Sequence, residues 1–172
     1  MPAPPPPSSP SPPPGLVTAQ FSLQRRVQFA ETDMAGIVHF ANFYRYMEEC
    51  EHAYFRSLGL SIMSTAPDGT VVGWPRVRCS CSYEAPARFD DLLEIRLNVS
   101  RKGVKSLTLE FEFWRDETRL ARGTMKTVCC FFGHDRPMQS IEIPPEYDSK
   151  IRESEHASTQ SSDRNKGLKG EG

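Results

Sequence analysis

Residues 31–49 read ETDMAGIVHFANFYRYMEE. Two acids, Glu31 and Asp33, stand just before Gly36 and a long apolar run. An ionised carboxylate at the edge of a core-forming segment costs free energy unless something offsets it. A carboxylate can attack a carbonyl directly or activate a water that does so. The free amides at the start of a helix can hold the oxyanion that results. A carboxylate beside a helix start therefore has the parts for attack on a carbonyl. The same residue type is also a common turn or N-cap residue, and residue types alone leave that choice open for Asp33. Asn42 could equally be the cap or a hydrogen-bonding group of a site. Histidines such as His39 are more often structural than catalytic, and Glu48 could be a solvated helix acid.

The elements that must place these residues are legible. Residues 20–30 alternate, with Phe21, Leu23, Val27 and Phe29 on one parity, which predicts a half-buried strand. Phe40, Phe43, Met47, Cys50, Tyr54 and Leu58 follow at spacings that make one apolar stripe of a helix over 40–58. Gly59 suits the helix stop. Residues 61–70 read as a loop with Pro67, Asp68 and Gly69 as turn chemistry. Four further strands are expected near 76–83, 93–99, 106–113 and 119–132, with hairpin turns at Lys102-Gly103 and Arg115-Asp116-Glu117. One strand, a long helix and four strands joined by short links give the α+β class. The expected form is an antiparallel five-stranded meander wrapped around the helix. Its edge strands would call for pairing with another subunit.

Composition limits the rest. The chain has 172 residues and a net charge of −1, so nothing in it advertises a nucleic-acid or membrane-surface partner. Nine of the fifteen prolines lie in residues 2–14, which makes residues 1–15 a low-complexity tail, either solubilising or a ligand for a PxxP-reading domain. Residues 148–172 are almost wholly polar and are expected to be a second disordered tail, leaving 16–147 as the domain. The N-terminus lacks the pattern of a signal peptide, and no apolar run reaches membrane-spanning length, so the cytoplasm is the expected compartment. The five cysteines, Cys50, Cys79, Cys81, Cys129 and Cys130, fit neither a disulfide framework nor a zinc ribbon. They read as free thiols packed like small apolar residues, and no metal is expected.

The run from Glu31 to Tyr46, followed by Glu48, resembles the hot-dog fold acyl-CoA thioesterases, in the branch of the 4-hydroxybenzoyl-CoA thioesterases. SYEAPARFDDLLEI (82–95) and GHDRPMQSIEIP (133–144) are similar to two further stretches of that family, so the resemblance covers about 20–145. The sequence departs from the family at two places. The leading acid is Glu31 where Asp is common, and His39-Phe40 stands where many members have an aromatic followed by His.

The resemblance implies hydrolysis of an acyl-CoA to free acid and coenzyme A. The leaving thiolate has a conjugate acid with a pKa of about 8.5, so no strong general acid is needed. Asp33 matches the catalytic carboxylate, as nucleophile or general base. The Phe40 backbone amide matches the oxyanion donor, and Gly36 would let the backbone approach the acyl group. His39, Asn42 and Glu48 are candidate substrate-side residues. Arg88, Arg101 and Lys102, with Lys105, are candidates for the CoA phosphates. Phe29, Phe40, Phe43, Tyr44 and Trp74 are aromatic enough for a ring or a fatty chain. The resemblance implies no cofactor beyond the coenzyme A of the substrate, and a homodimer or homotetramer with the site at the subunit interface. Two other expectations stay open: a hot-dog dehydratase using His39 and Glu48, and a non-catalytic acyl-thioester scaffold.

Overall fold

A computed structural model describes residues 19–65, 69–133 and 136–155. The readings of the proline-rich segment, of Pro67 and Asp68, and of the tail beyond residue 155 lie outside the described residues.

Among the described residues the elements run β1 (Phe21–Arg26), a 3-10 turn (Phe29–Glu31), α1 (Phe40–Ser57), β2 (Met63–Thr65), β3 (Val71–Gly73), β4 (Arg76–Tyr83), β5 (Leu92–Lys102), β6 (Ser106–Arg115), β7 (Thr118–Val128), β8 (Cys130–Gly133), β9 (Arg136–Ser140) and α2 (Pro145–Asp148). Five of the strands form one antiparallel sheet in the order β1-β5-β6-β7-β4. It curves around α1, which packs on β1, β5, β7 and β4, giving the α+β hot-dog architecture.

Alternation sets the inner face. Leu93, Ile95, Leu97 and Val99 of β5, Leu107, Leu109, Phe111 and Phe113 of β6, and Leu120, Ala121 and Met125 of β7 are buried. Gly123 of β7 admits the helix closely, because a Cβ there would overlap the Met47 side chain of α1. The helix buries Phe43, Tyr46, Met47, Cys50, Glu51, Tyr54 and Phe55. Its stop is a glycine in the left-handed region, Gly59 at φ 65°, as the sequence predicts.

Several expectations change. β5, β6 and β7 do form a meander, but β4 pairs with β7 instead of β5 and lies at the sheet edge. Cys79 on that edge is exposed and Cys81 is half-buried, so the inward packing expected of the cysteines holds for Cys50, Cys129 and Cys130. The first strand ends at Arg26, and Phe29 turns outward onto the surface against Phe89. The last predicted strand divides: β8 leaves the main sheet and joins a second sheet, β2-β3-β8-β9, which occupies part of the expected 61–70 loop.

Residues 148–155, placed in the tail by composition, are attached to the domain. Tyr147 packs with Phe55 and Trp74, Ile151 is fully buried, and Ser154 N donates to Val99 O at 2.9 Å. A few well-placed apolar residues are enough to dock a polar segment whose average composition predicts none of this.

Candidate active site

The link from β1 to α1 is built in short bonded steps. Val27 N donates to Asp91 O, and the 3-10 turn follows. The chain then doubles back on itself, with Asp33 N on Ile37 O at 2.9 Å and Gly36 N on Asp33 O at 2.9 Å. Gly36 takes φ 70°, which an L side chain would strain. Val38 N donates to Ala87 O, and Ile37 bridges Arg88, so the turn rests on the segment that feeds β5.

Asp33 is exposed at this turn. One carboxylate oxygen, Oδ1, accepts the Ala35 N–H at 2.8 Å. No other hydrogen bond or ion pair reaches the carboxyl group among the described residues, so its second oxygen is unpartnered there. Asp33 thus has an Asx-turn bond of the kind expected from a turn residue, and it still offers a free oxygen.

The helix start is capped by His39, whose Nδ1 accepts the Ala41 N–H at 3.3 Å. Asn42 N donates to His39 O at 2.9 Å, while the Asn42 side chain donates to Glu31 O at 2.8 Å. The Phe40 amide, at the first helical position, has no partner among the described residues, as expected for an orphan donor at a helix N-terminus.

Asp33 and Phe40 line one cleft of about 390 Å³, with Ile37, Phe43, Tyr83 and Pro86 among its walls. Phe43 and Tyr83 meet edge to face at 5.2 Å between ring centres, and Tyr83 Oη donates to Phe40 O at 3.2 Å. The arrangement is a largely apolar cleft lined by Asp33, one of whose carboxylate oxygens has no partner among the described residues, and by Phe40, whose amide has none either. Its size suits a small organic group.

The remaining expected site residues separate. Arg88 is exposed beside the turn, its guanidinium about 4 Å from where a Gly36 Cβ would stand. Arg101 and Lys102 lie at the far end of β5, nine residues from its start near the site, or roughly 30 Å along the strand. Lys102 is occupied there by Asp148, at 2.8 Å from Oδ1, and by the Asp148 and Ile151 carbonyls. Within one chain they do not join Arg88. Glu48 faces a second cleft of about 240 Å³ with Tyr44, Arg45, Arg76, Cys79 and Met125, and Arg76 holds it at 3.1 Å. His39 and Glu48 are therefore not brought together in one chain. Of the expected aromatics, Phe40 and Phe43 line the Asp33 cleft, whereas Trp74 is buried against Phe55 and Tyr147. Tyr83 was not among the residues singled out for the cleft. Its place on β4 becomes informative only once that strand is known to run past the helix N-terminus.

Comparison with known proteins gives the family. A family model described as the thioesterase superfamily matches residues 35–122, 88 of the 172 residues. The chain belongs to this family. It is 29% identical over 132 residues to a 4-hydroxybenzoyl-CoA thioesterase of Pseudomonas sp. strain CBS-3, covering 73% of this chain and 93% of that protein. It is 28% identical over 120 residues to the acyl-CoA thioesterase YbgC of Haemophilus influenzae, covering 69% and 86%. Among solved structures it resembles a 1,4-dihydroxy-2-naphthoyl-CoA thioesterase from Synechocystis, with a TM-score of 0.67 and 26% identity over 76% of this chain and 94% of that one.

Proposed function

We propose that this chain hydrolyses acyl-CoA thioesters to the free acid and coenzyme A. The observation that carries the reading is the single cleft lined both by Asp33, with an unpartnered carboxylate oxygen, and by Phe40 at the helix start. In this reading the acyl group lies against Phe40, Phe43 and Tyr83, and the Phe40 N–H donates to the carbonyl oxygen as negative charge develops on it. Asp33 attacks the thioester carbon or draws a proton from an attacking water. The CoA thiolate leaves without a strong acid. Arg88, exposed at the turn, is the cation of this chain best placed for the phosphates. The relatives act on 4-hydroxybenzoyl and 1,4-dihydroxy-2-naphthoyl thioesters, as their names state, and the ring-lined walls suit an aromatic acyl group.

The active unit is at least a dimer. The outer edge of β4 has no neighbouring strand among the described residues, and Val77 and Tyr83 on it are 58% and 47% exposed. An edge of this kind invites pairing with a second copy. The free cysteines favour a reducing compartment such as the cytoplasm. Among the described residues no helix is long and apolar enough to cross a membrane.

The experiment is thiol release from benzoyl-, short-chain and long-chain acyl-CoA by wild type and Asp33→Asn, with light scattering at micromolar concentration on the same samples. The reading expects turnover lost on substitution, an intact fold and a scattering mass above that of one chain. Unchanged turnover in the variant would sink the assignment of Asp33, and a monomer would contradict the assembly.

A further inference from the structure

The turn that carries Asp33 rests on the segment before β5 through Val38 and Ile37, and its placement relative to the helix start calls for a separate connection. Glu31, two residues away, has the required connections. Its backbone carbonyl accepts the His39 N–H at 2.9 Å and the Asn42 side-chain amide at 2.8 Å, which ties the turn to the first turn of α1. Its carboxylate Oε2 accepts Arg25 Nη1 at 2.8 Å, Gln28 N at 2.8 Å and Tyr46 Oη at 2.9 Å, and Arg25 Nη2 donates to Oε1. Arg25 in turn stacks on the Tyr46 ring at 4.1 Å and donates from Nε to Glu49 at 2.6 Å. One residue therefore joins β1, the 3-10 turn and the first two turns of α1.

Exposed ion pairs of this kind usually contribute little. This one differs in burial and geometry. The Arg25 and Glu31 side chains are 14% and 16% exposed, the pair is two-pronged, and both carboxylate oxygens have partners. Burial disfavours the Glu31 charge, but the Arg25 guanidinium, the Gln28 amide and the Tyr46 hydroxyl outweigh it and hold the carboxyl below its ordinary range. Glu31 does not line the Asp33 cleft, so it touches no reacting group.

We propose that Glu31, clamped by Arg25 and Tyr46, is the positioning residue that fixes the Asp33 carboxylate relative to the Phe40 amide. The proposal rests on the reading of Asp33 and Phe40 as the reacting pair. Misplacement by about 1 Å can lower a rate by about 100-fold without removing a binding contact. Loss of the clamp should therefore act on kcat and leave KM nearly unchanged.

The test compares Glu31→Gln and Tyr46→Phe with wild type, and uses Val99→Ala, a core truncation on β5, as a control for lost stability. Rates are measured on an acyl-CoA that wild type hydrolyses and Asp33→Asn does not. Amide exchange at His39 and Leu109 is measured without substrate. Glu31→Gln should lower kcat about 10- to 100-fold with KM within about threefold of wild type, and Tyr46→Phe should lower it less. His39 exchange should quicken about tenfold in Glu31→Gln while Leu109, in the middle of β6, stays protected. Val99→Ala should keep kcat despite a lower Tm. The proposal is overturned if Glu31→Gln retains kcat, if Val99→Ala loses as much, or if His39 exchange does not change. A wild-type protein inactive on every acyl-CoA refutes the functional reading and the proposal together. An active wild type with an active Glu31→Gln variant refutes the proposal alone.

Discussion

Glu51 offers a prediction whose size follows from its surroundings. It lies on the buried side of α1 with no solvent exposure, and Arg76 Nη2 stands 2.5 Å from its Oε2. Its other oxygen, Oε1, has no hydrogen-bond partner among the described residues. Arg76 is shared with Glu48 at 3.1 Å. Burial pushes the Glu51 carboxyl from 4.5 up to about 7, against the pull of Arg76. Between these values the folded protein holds a proton that the unfolded chain has lost, so stability falls as pH rises across that window. From pH 5.5 to 7 the shift covers about 1.5 units, or roughly 2 kcal/mol at 1.36 kcal/mol per unit. His52, whose pKa is lowered by burial and by Arg76, acts in the opposite sense below its ordinary range. Comparing wild type with Glu51→Gln separates the two, because His52 is common to both. Urea unfolding at pH 5.5 and 8, at one fixed protein concentration, is the assay. The wild-type midpoint should lose about 1 M more than the variant's between these pH values, taking a slope of about 2 kcal/mol per M. Equal pH dependence in the two proteins would refute the account of Glu51 as a buried carboxyl that titrates near neutrality.

Two further outcomes are expected. His39→Ala should cost about 0.5–2 kcal/mol by removing the helix cap, and His39→Asn should recover most of that while keeping activity, as read by thermal unfolding and thiol release. A rate loss in His39→Asn as large as that of Asp33→Asn would make His39 a catalyst instead. Ile151→Ala should destabilise by about 2–5 kcal/mol in urea unfolding, as expected for a side chain with no solvent exposure, and a neutral result would return residues 148–155 to the tail.

The central helix and the strand periods were plain in the sequence because both depend on local spacing. The stripe through Phe43, Met47, Cys50 and Tyr54 is the buried face of α1, and the alternation in β5 and β6 is the inner face of the sheet. Pairing order was not legible, because adjacency along the chain favours β4 beside β5 while the sheet places β4 beside β7. That choice exposes Cys79 and brings Tyr83 to the cleft. Arg25 shows the same limit. Its parity is the inward one of Phe21, Leu23 and Val27, and spacing alone does not show that a charged group there finds partners in Glu31 and the Tyr46 ring. Asp33 and the helix start were legible as a pair because they lie within ten residues. The cations were not, since β5 separates Arg88 from Arg101 and Lys102 by its whole length.

The central claim is that Asp33 acts as nucleophile or general base in the cleft at the start of α1. Single-turnover thiol release by wild type and Asp33→Asn, on an acyl-CoA shown to bind both with similar Kd, tests it most directly. The account predicts a rate lower by about 10²–10⁴ in the variant with binding and Tm preserved. A variant that releases thiol at the wild-type rate would contradict it.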